Sequence, residues 1–558
     1  MNGTALLLAT AALLVPLSAA KADTLVTNVR GVQVASDGTL DRFTGLLLDD
    51  GGKVKQVLRG EQLKLPGGTS VVDGGGRTLL PGLIDAHGHV MGLGQALTRL
   101  DVTGTKSVAE LQQRLRDYAA KNPDLPWITG RGWNQEMWPG KRFPTAADLD
   151  AAVPDRPVWL ERVDGHASVA NSAALKAAGV TAATKAPAGG KIERDKAGRP
   201  TGLFVDAATA LIDGKVPPAP PAQQEAALLA AQALLLENGL TAVGDMGTSA
   251  EDWLAMRRLY DGARLQVRIM AYGGGIENLL AVAGTEPTPW LYGDRLRMGG
   301  VKLYSDGALG SRGAWLKQPY ADAPTRGLAL LTPQELRRQA GIAAAGGFQL
   351  AVHAIGDAAN AMVLDSYEAL GSAQGDKRWR VEHAQVVDTA DLKRFAAGKV
   401  IPSMQPVHQT SDRTMAEARL GPKRLDGAYA WQTLDKSGAR LALGSDFPVE
   451  HPNPFHGLAA AISRQGLDDQ PTGGWRPWER MTFAQALGGF TRDAAWAGFA
   501  ETKVGSLEPG KWADFILVDR DVAAVTPNEL ARTQVLQTWI AGKKAWERTA
   551  TPGVGQAR

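Results

Sequence analysis

The hydrophobic positions of this chain fall into short β-type runs separated by longer stretches with helical spacing. Eight runs read as strands, at residues 80–85, 240–245, 265–272, 297–305, 349–353, 379–383, 400–405 and 441–446. Readable helix punctuation lies between them. Pro221–Glu237 is rich in Ala and Leu and stops at Asn238-Gly239. Thr332-Pro-Gln-Glu335 is a capping-box pattern with proline at the first helical position, and Gly346-Gly347 ends the helix that follows. Strand–helix alternation repeated eight times predicts an α/β fold, a parallel (β/α)8 TIM-type barrel with its active site at the carboxyl ends of the strands.

The two ends have another texture. Leu25-Val-Thr-Asn-Val, Gly45-Leu-Leu-Leu-Asp and Lys53-Val-Lys-Gln-Val are short strands between glycine-containing turns, a small antiparallel unit. The same pattern returns from Gly505 to Asp519 and again at Val535-Leu-Gln-Thr-Trp-Ile-Ala541. Residues 23–78 and 497–548 are therefore expected to pair into one small β-sandwich domain, with 79–103 and 221–496 forming the barrel. Residues 104–220 are too long for a single crossover and read as an inserted lobe covering the active site. At the start, Ala5 to Leu17 is uncharged and apolar and runs into Ser18-Ala-Ala-Lys-Ala22, the layout of a secretory signal peptide over 1–22. That predicts a periplasmic or secreted protein. The run is too short to span a bilayer, so no membrane association is expected after its removal.

Composition narrows the chemistry. Hydrophobic residues make up 44% and charged residues 21%, ordinary values for a globular protein. The 61 basic residues nearly balance the 58 acidic ones, with no basic cluster interleaved with aromatics, which excludes nucleic acid as an expected partner. Cysteine is absent, so any metal must be held by His, carboxylate or modified Lys.

The strand ends carry the candidate chemistry. His87 and His89 follow the first run at i and i+2, so both imidazoles project from one face, and Gly88 between them leaves room for the backbone to pass close to an ion. Lys302 lies in the fourth run, His353 ends the fifth, His383 the sixth, and Asp446 the eighth. Each alone reads as an ordinary polar residue. Together they are a metal-ligand set that barrel geometry converges. Strand alternation turns Glu382, next to His383, away from the barrel interior and into an ion pair. Arg312, Gln405 and His408 follow strands four and seven and are candidates to orient substrate, as are Trp138 and His166, with Trp133, from the insert. His451 and His456 read as structural.

The motifs Leu80-Pro-Gly-Leu-Ile-Asp-Ala-His-Gly-His89, Gly132-Trp-Asn-Gln-Glu-Met-Trp138, Arg162-Val-Asp-Gly-His166, Asp306-Gly-Ala-Leu-Gly-Ser-Arg312, Gly444-Ser-Asp-Phe-Pro448 and Gly505 to Asp514 resemble the amidohydrolase superfamily. The resemblance is to the branch that contains N-substituted formamide deformylases. It implies two divalent metals, His87 and His89 on one, His353 and His383 on the other, carboxylated Lys302 bridging them and Asp446 on the first. Zn²⁺ suits His and oxygen ligands, and Mn²⁺, Fe²⁺ or Co²⁺ are compatible. It further implies hydrolysis of an amide-type C–N bond of a small molecule by a metal-activated water, with Asp446 as proton shuttle. Two alternatives stand beside it: an esterase- or lactonase-type hydrolase using the same site, and a periplasmic small-molecule-binding protein on a retired hydrolase scaffold. The expected partner is a small-molecule substrate, and a homodimer is compatible with the sequence.

Overall fold

The structure is a computed structural model that describes residues 23–60, 68–162, 167–187 and 190–549, so the signal-type segment 1–22 lies outside the described residues. Its central sheet holds eight parallel strands: β1 (Leu83–Gly88), β2 (Leu240–Thr248), β3 (Arg268–Gly274), β4 (Leu296–Tyr304), β5 (Gln349–Ala354), β6 (Arg380–His383), β7 (Ile401–Met404) and β8 (Ala442–Leu443). They are hydrogen-bonded in sequence order from β1 to β8, and a parallel bridge from Gly88 to Phe447 joins the last strand back to the first. The result is a nearly closed barrel.

Alternation along the strands sorts side chains into two layers. Ile84, Ala86, Ala242, Met270, Ala351, Ile401 and Ala442 pack inside, together with Ala494, Ala495 and Ala497 of the helix Arg492–Ala497. Leu83, Val243, Ile269, Val301, Leu350 and Val381 pack outward against the surrounding helices. Small residues dominate the interior because eight strands leave room for only one narrow column of side chains. The helix Pro221–Glu237 has the predicted bounds. At Thr332 half of the capping box forms: its hydroxyl accepts from Glu335 N (3.1 Å), while the Glu335 carboxylate turns to Arg338 and Gln339.

The first barrel strand begins later than its hydrophobic run. Leu79, Leu80 and Pro81 still belong to the strand Ser70–Pro81, which pairs antiparallel with Phe515–Val518. Pro81 has no N–H to continue a ladder, and Gly82 gives its N–H to Asp514 O at 2.8 Å. A Cβ on Gly82 would meet Thr241 Oγ1 at 2.2 Å, so only glycine lets the chain cross from one sheet to the other here.

A second sheet joins both ends of the chain. Thr24–Val34, Gly45–Leu48 and Val54–Leu58 pair antiparallel, Ser70–Pro81 pairs parallel to Thr24–Val34, and Phe515–Val518, Val535–Ile540 and Lys543–Glu547 continue the sheet. The parallel pairing departs from the all-antiparallel expectation, because the segment after residue 58 returns to run beside the first strand instead of folding back as a hairpin. A third sheet of six strands lies within residues 100–206 and has its own core around Leu111, Leu115, Ile128, Trp133, Val158 and Leu160. Among the described residues, no helix is long and apolar enough to cross a membrane.

Candidate metal centre

The carboxyl ends of β1, β4, β5, β6 and the turn after β8 bring five of the predicted ligands onto one cavity wall: His89, Lys302, His353, His383 and Asp446. His87 lies directly beneath, fully buried. Its Nε2 is 3.2 Å from Lys302 Nζ and 3.4 Å from Asp446 Oδ1, and His89 Nε2 is 3.1 Å from the same oxygen. The His87 and His383 rings are 4.8 Å apart, and His353 and His383 4.6 Å. One ligand atom each from His87, His383 and Asp446 lie within 4.8 Å of one another.

The imidazoles are presented with lone pairs available. His87 Nδ1 donates to Glu382 Oε2 at 2.6 Å, and His383 Nδ1 donates to Gln405 Oε1 at 2.9 Å. A proton on Nδ1 leaves Nε2 unprotonated, the tautomer a metal needs. His353 Nε2 and His408 Nε2 are buried without a hydrogen-bond partner. Orphaned buried nitrogens are costly unless something else fills their valence. Burial lowers the pKa of His87 to about 4 and of His353 to about 3, and drives His383 well below the usual value, so all three are neutral at pH 7. Burial lowers Lys302 to about 8. Burial opposes ionisation of Asp446, but His87, His89 and His383 outweigh it and hold the carboxyl well below the carboxylate range. Neutral imidazoles, an ionised carboxylate and a lysine of lowered pKa fit a divalent cation.

Unusual backbone places two of these groups. His383 has φ +73° and Asp446 φ +60°, left-handed values that cost non-glycine residues and recur at functional sites. This corrects the expectation for Glu382. The strand does alternate, but it is Glu382 that faces inward, fully buried against His87, and the left-handed turn at His383 swings that ring to the same side. The ion-pair expectation holds: Arg380 Nε reaches Glu382 Oε1 at 2.7 Å. Gly88 also has a different reason from the one expected. Its missing Cβ would lie 2.4 Å from the Phe447 ring, so the space serves closure of β8 onto β1.

Buried carboxylates clamp the loops that carry the candidate ligands. Asp85 accepts from His87 N (3.0 Å), Ser445 N and Ser445 Oγ (2.6 Å), holding the residue before Asp446, and Asp446 N itself bonds His87 O at 2.7 Å. Asp306 accepts from Trp315 N, Ile355 N and Gly356 N just beyond His353. Burial pushes both acids up to about 7. Asp85, Asp306 and Glu382 were absent from the sequence-derived site. Asp85 stands at i−2 from His87, so the signal for it was the same face of the same strand.

The cavity has a volume of about 400 Å³, with Tyr304, Leu309, Ile355, Met415 and Val449 facing the ligands. His408 joins it from the helix Pro406–Leu420, its Nε2 3.7 Å from Asp446 Oδ2. Gln405 is buried and reaches the site through His383. Arg312 is outside: it pairs with Asp322 on the surface, Nη2 to Oδ2 2.9 Å. Trp138 is outside too, because its ring completes the core of the third sheet and its N–H is spent on Thr105 O at 2.8 Å; Trp133 likewise donates to Leu160 O. His166 lies outside the described residues. No described residue between 104 and 220 lines the cavity. A larger cavity, about 650 Å³, lies on the other face of the helix Pro406–Leu420; it contains His451 and His456, whose rings are 5.8 Å apart, and none of the gathered ligands.

Comparison with known proteins agrees with this geometry. The family model described as "Amidohydrolase family" matches residues 70–545. Protein LONG AFTER FAR-RED 3 of Arabidopsis thaliana is 34% identical over 96% of this chain and 93% of its own length. The N-substituted formamide deformylase of Arthrobacter pascens is 29% identical over 90% of this chain and 95% of its own. The crystal structure of an uncharacterized metal-dependent hydrolase from Pyrococcus horikoshii OT3 superposes with a TM-score of 0.77 at 29% identity, covering 91% of this chain and 99% of that one. With histidines and a carboxylate assembled at a barrel mouth and a family match across nearly the whole chain, the protein belongs to the amidohydrolase family and is a metal-dependent hydrolase.

Proposed function

We propose that this enzyme hydrolyses an amide-type C–N bond of a small molecule, with Asp446 moving the proton. The observation that carries the reading is the convergence of one ligand atom each from His87, His383 and Asp446 within 4.8 Å, beside Lys302 and His353 in one cavity. His87, His89 and Asp446 would hold one divalent cation and His353 and His383 a second, with Lys302, carboxylated on Nζ, between them. Zn²⁺ is the ion that best suits this donor set. Such a cation, when bound, makes water acidic enough to ionise near neutral pH and polarises a carbonyl.

The chain supplies the rest. Asp446 is ionised and so can take a proton from water at its Oδ2 and return it to the departing nitrogen. His408 Nε2, 3.7 Å from that oxygen, is placed to receive a hydrogen bond from the substrate or to steady the carboxylate. Tyr304, Leu309 and Ile355 wall the reacting bond off from bulk water. The deformylase relative supports formamides as the first substrates to try. We also read 23–78 with 497–548 as a β-sandwich domain, 104–220 as a lobe on the barrel, and 1–22 as an export signal.

The test is metal analysis of purified protein followed by turnover of N-alkyl formamides and acetamides beside matched esters and lactones. The expected result is bound transition metal, formamide hydrolysis lost on chelation, and recovery on adding Zn²⁺. Protein without transition metal, or chelator-indifferent turnover, overturns the reading.

A further inference from the structure

The structure assigns a charge preference to the cavity: Asp412 and Glu450 form a subsite for an ammonium group carried on the nitrogen substituent of the substrate. The inference rests on the proposed amide hydrolysis and specifies which amides the site selects.

The ligand-bearing end of the cavity continues along the helix Pro406–Leu420, where His408, Asp412 and Met415 follow one another on one face at helical spacing. At 1.5 Å rise per residue, Asp412 lies roughly 6 Å farther along the axis than His408. Its Oδ2 accepts from Gln385 Nε2 (2.9 Å) and Tyr429 Oη (3.0 Å), which fixes the carboxylate in place, while no protein donor reaches its Oδ1 among the described residues. Glu450 stands four residues after Asp446. Ser411 Oγ donates to its Oε1 at 2.7 Å, and Oε2 likewise has no donor. Neither acid has a Lys or Arg in ion-pair distance among the described residues, unlike Asp322, Asp391 or Asp514. Arg413 turns to the opposite face and gives its guanidinium to Thr410 O at 2.7 Å. Lys302 is the only cationic side chain in the cavity lining among the described residues. The apolar side chains Leu309, Ile355, Met415 and Val449 share the cavity lining with both acids, so an alkyl or aryl body has apolar contacts within the same cavity. An ammonium on that body meets negative charge, whereas a carboxylate meets like charge with no Lys or Arg paired to the two acids among the described residues.

The experiment uses metal-loaded full-length enzyme and three probes with one reacting group: N-hexylformamide and its counterparts ending in an ammonium or a carboxylate. kcat/KM for the ammonium probe is expected to exceed that for the carboxylate probe by at least about tenfold. Asp412→Asn and Glu450→Gln, measured separately, should each narrow that ratio, so a folding defect in one variant does not decide the outcome. Equal rates, or a carboxylate preference, with N-hexylformamide still turned over would overturn the subsite and leave the proposed reaction standing. Failure of all three probes, with metal bound, would overturn the formamide reading and the subsite with it.

Discussion

Arg268 and Arg380 are both buried to 1% exposure, and each forms a two-pronged pair with a carboxylate, Asp514 in the first case and Glu382 in the second. Around Arg268 the remaining valences close on backbone. Its Nη1 takes Gly293 O and Asp294 O, and Asp514 accepts from Ala541 N at 2.8 Å. The pair spans 246 residues and fastens barrel strand β3 to the sheet made by the chain ends. Around Arg380 the pattern differs at one atom. Its donors also reach Ala86 O, Ser403 Oγ and Tyr272 Oη inside the barrel, while Glu382 Oε2 accepts from His87 Nδ1 as well as from Arg380 Nη2. The same chemistry thus serves the fold where every valence ends on structure, and the candidate metal centre where one oxygen is shared with a candidate ligand imidazole.

Loss of the carboxylate proposed to move the proton gives the scale for functional damage. Asp446→Asn should lower turnover by about 10²–10⁴-fold in steady-state kinetics, with most of the metal retained by elemental analysis. Wild-type rates in that variant would remove the proton-transfer role. The Arg268 pair should fail in the opposite way. Asp514→Asn leaves Arg268 buried and unpaired and should destabilise the fold by about 3–5 kcal/mol in urea titrations, with little change in kcat of the folded enzyme. A large kcat effect at full stability would erase the distinction between the two pairs.

Glu382→Gln sharpens the comparison from the other side. It should weaken metal binding by about 10–100-fold in equilibrium dialysis, because the partner that sets the His87 tautomer is lost. If it lowers stability alone, both pairs belong to the fold. The smallest effect is on pH dependence of the metal-free protein. The folded pKa of His87 is about 4 and of His353 about 3, both depressed by burial from 6.5. At these two imidazoles the unfolded chain binds more protons than the folded one, a contribution to stability that is lost as pH falls from 6.5 toward 4. Asp85 and Asp306, raised by burial to about 7, bind more protons in the folded chain and act in the opposite sense over the same window. The net slope is therefore expected to be shallow, and thermal melts of chelated protein that fall steeply over this range would contradict the opposition of buried imidazoles and buried acids.

Local patterns carried much of this molecule. A buried run that stops in His, as at His87, His353 and His383, shows both the strand and the residue at its carboxyl end, because strand period and chain termination are properties of a few neighbouring residues. The helix at Pro221–Glu237 was readable for the same reason. Trp138 and Arg312 were not. An indole in a loop and an arginine after a strand look alike whether they face a cavity, a core or solvent, and only packing sent them to the Leu111–Leu160 core and to Asp322.

By itself, then, the sequence determined the order and class of the barrel strands and which His, Lys and Asp residues are candidate metal ligands, since both follow from short-range periodicity and residue chemistry. Tertiary structure decided which neighbours those candidates have. Glu382 beneath His87, Asp85 clamping Ser445, Phe447 occupying the space over Gly88, and the left-handed backbone at His383 and Asp446 all join segments as many as 360 residues apart. Such contacts depend on how the barrel closes, and closure is a property of the whole sheet that no single segment encodes.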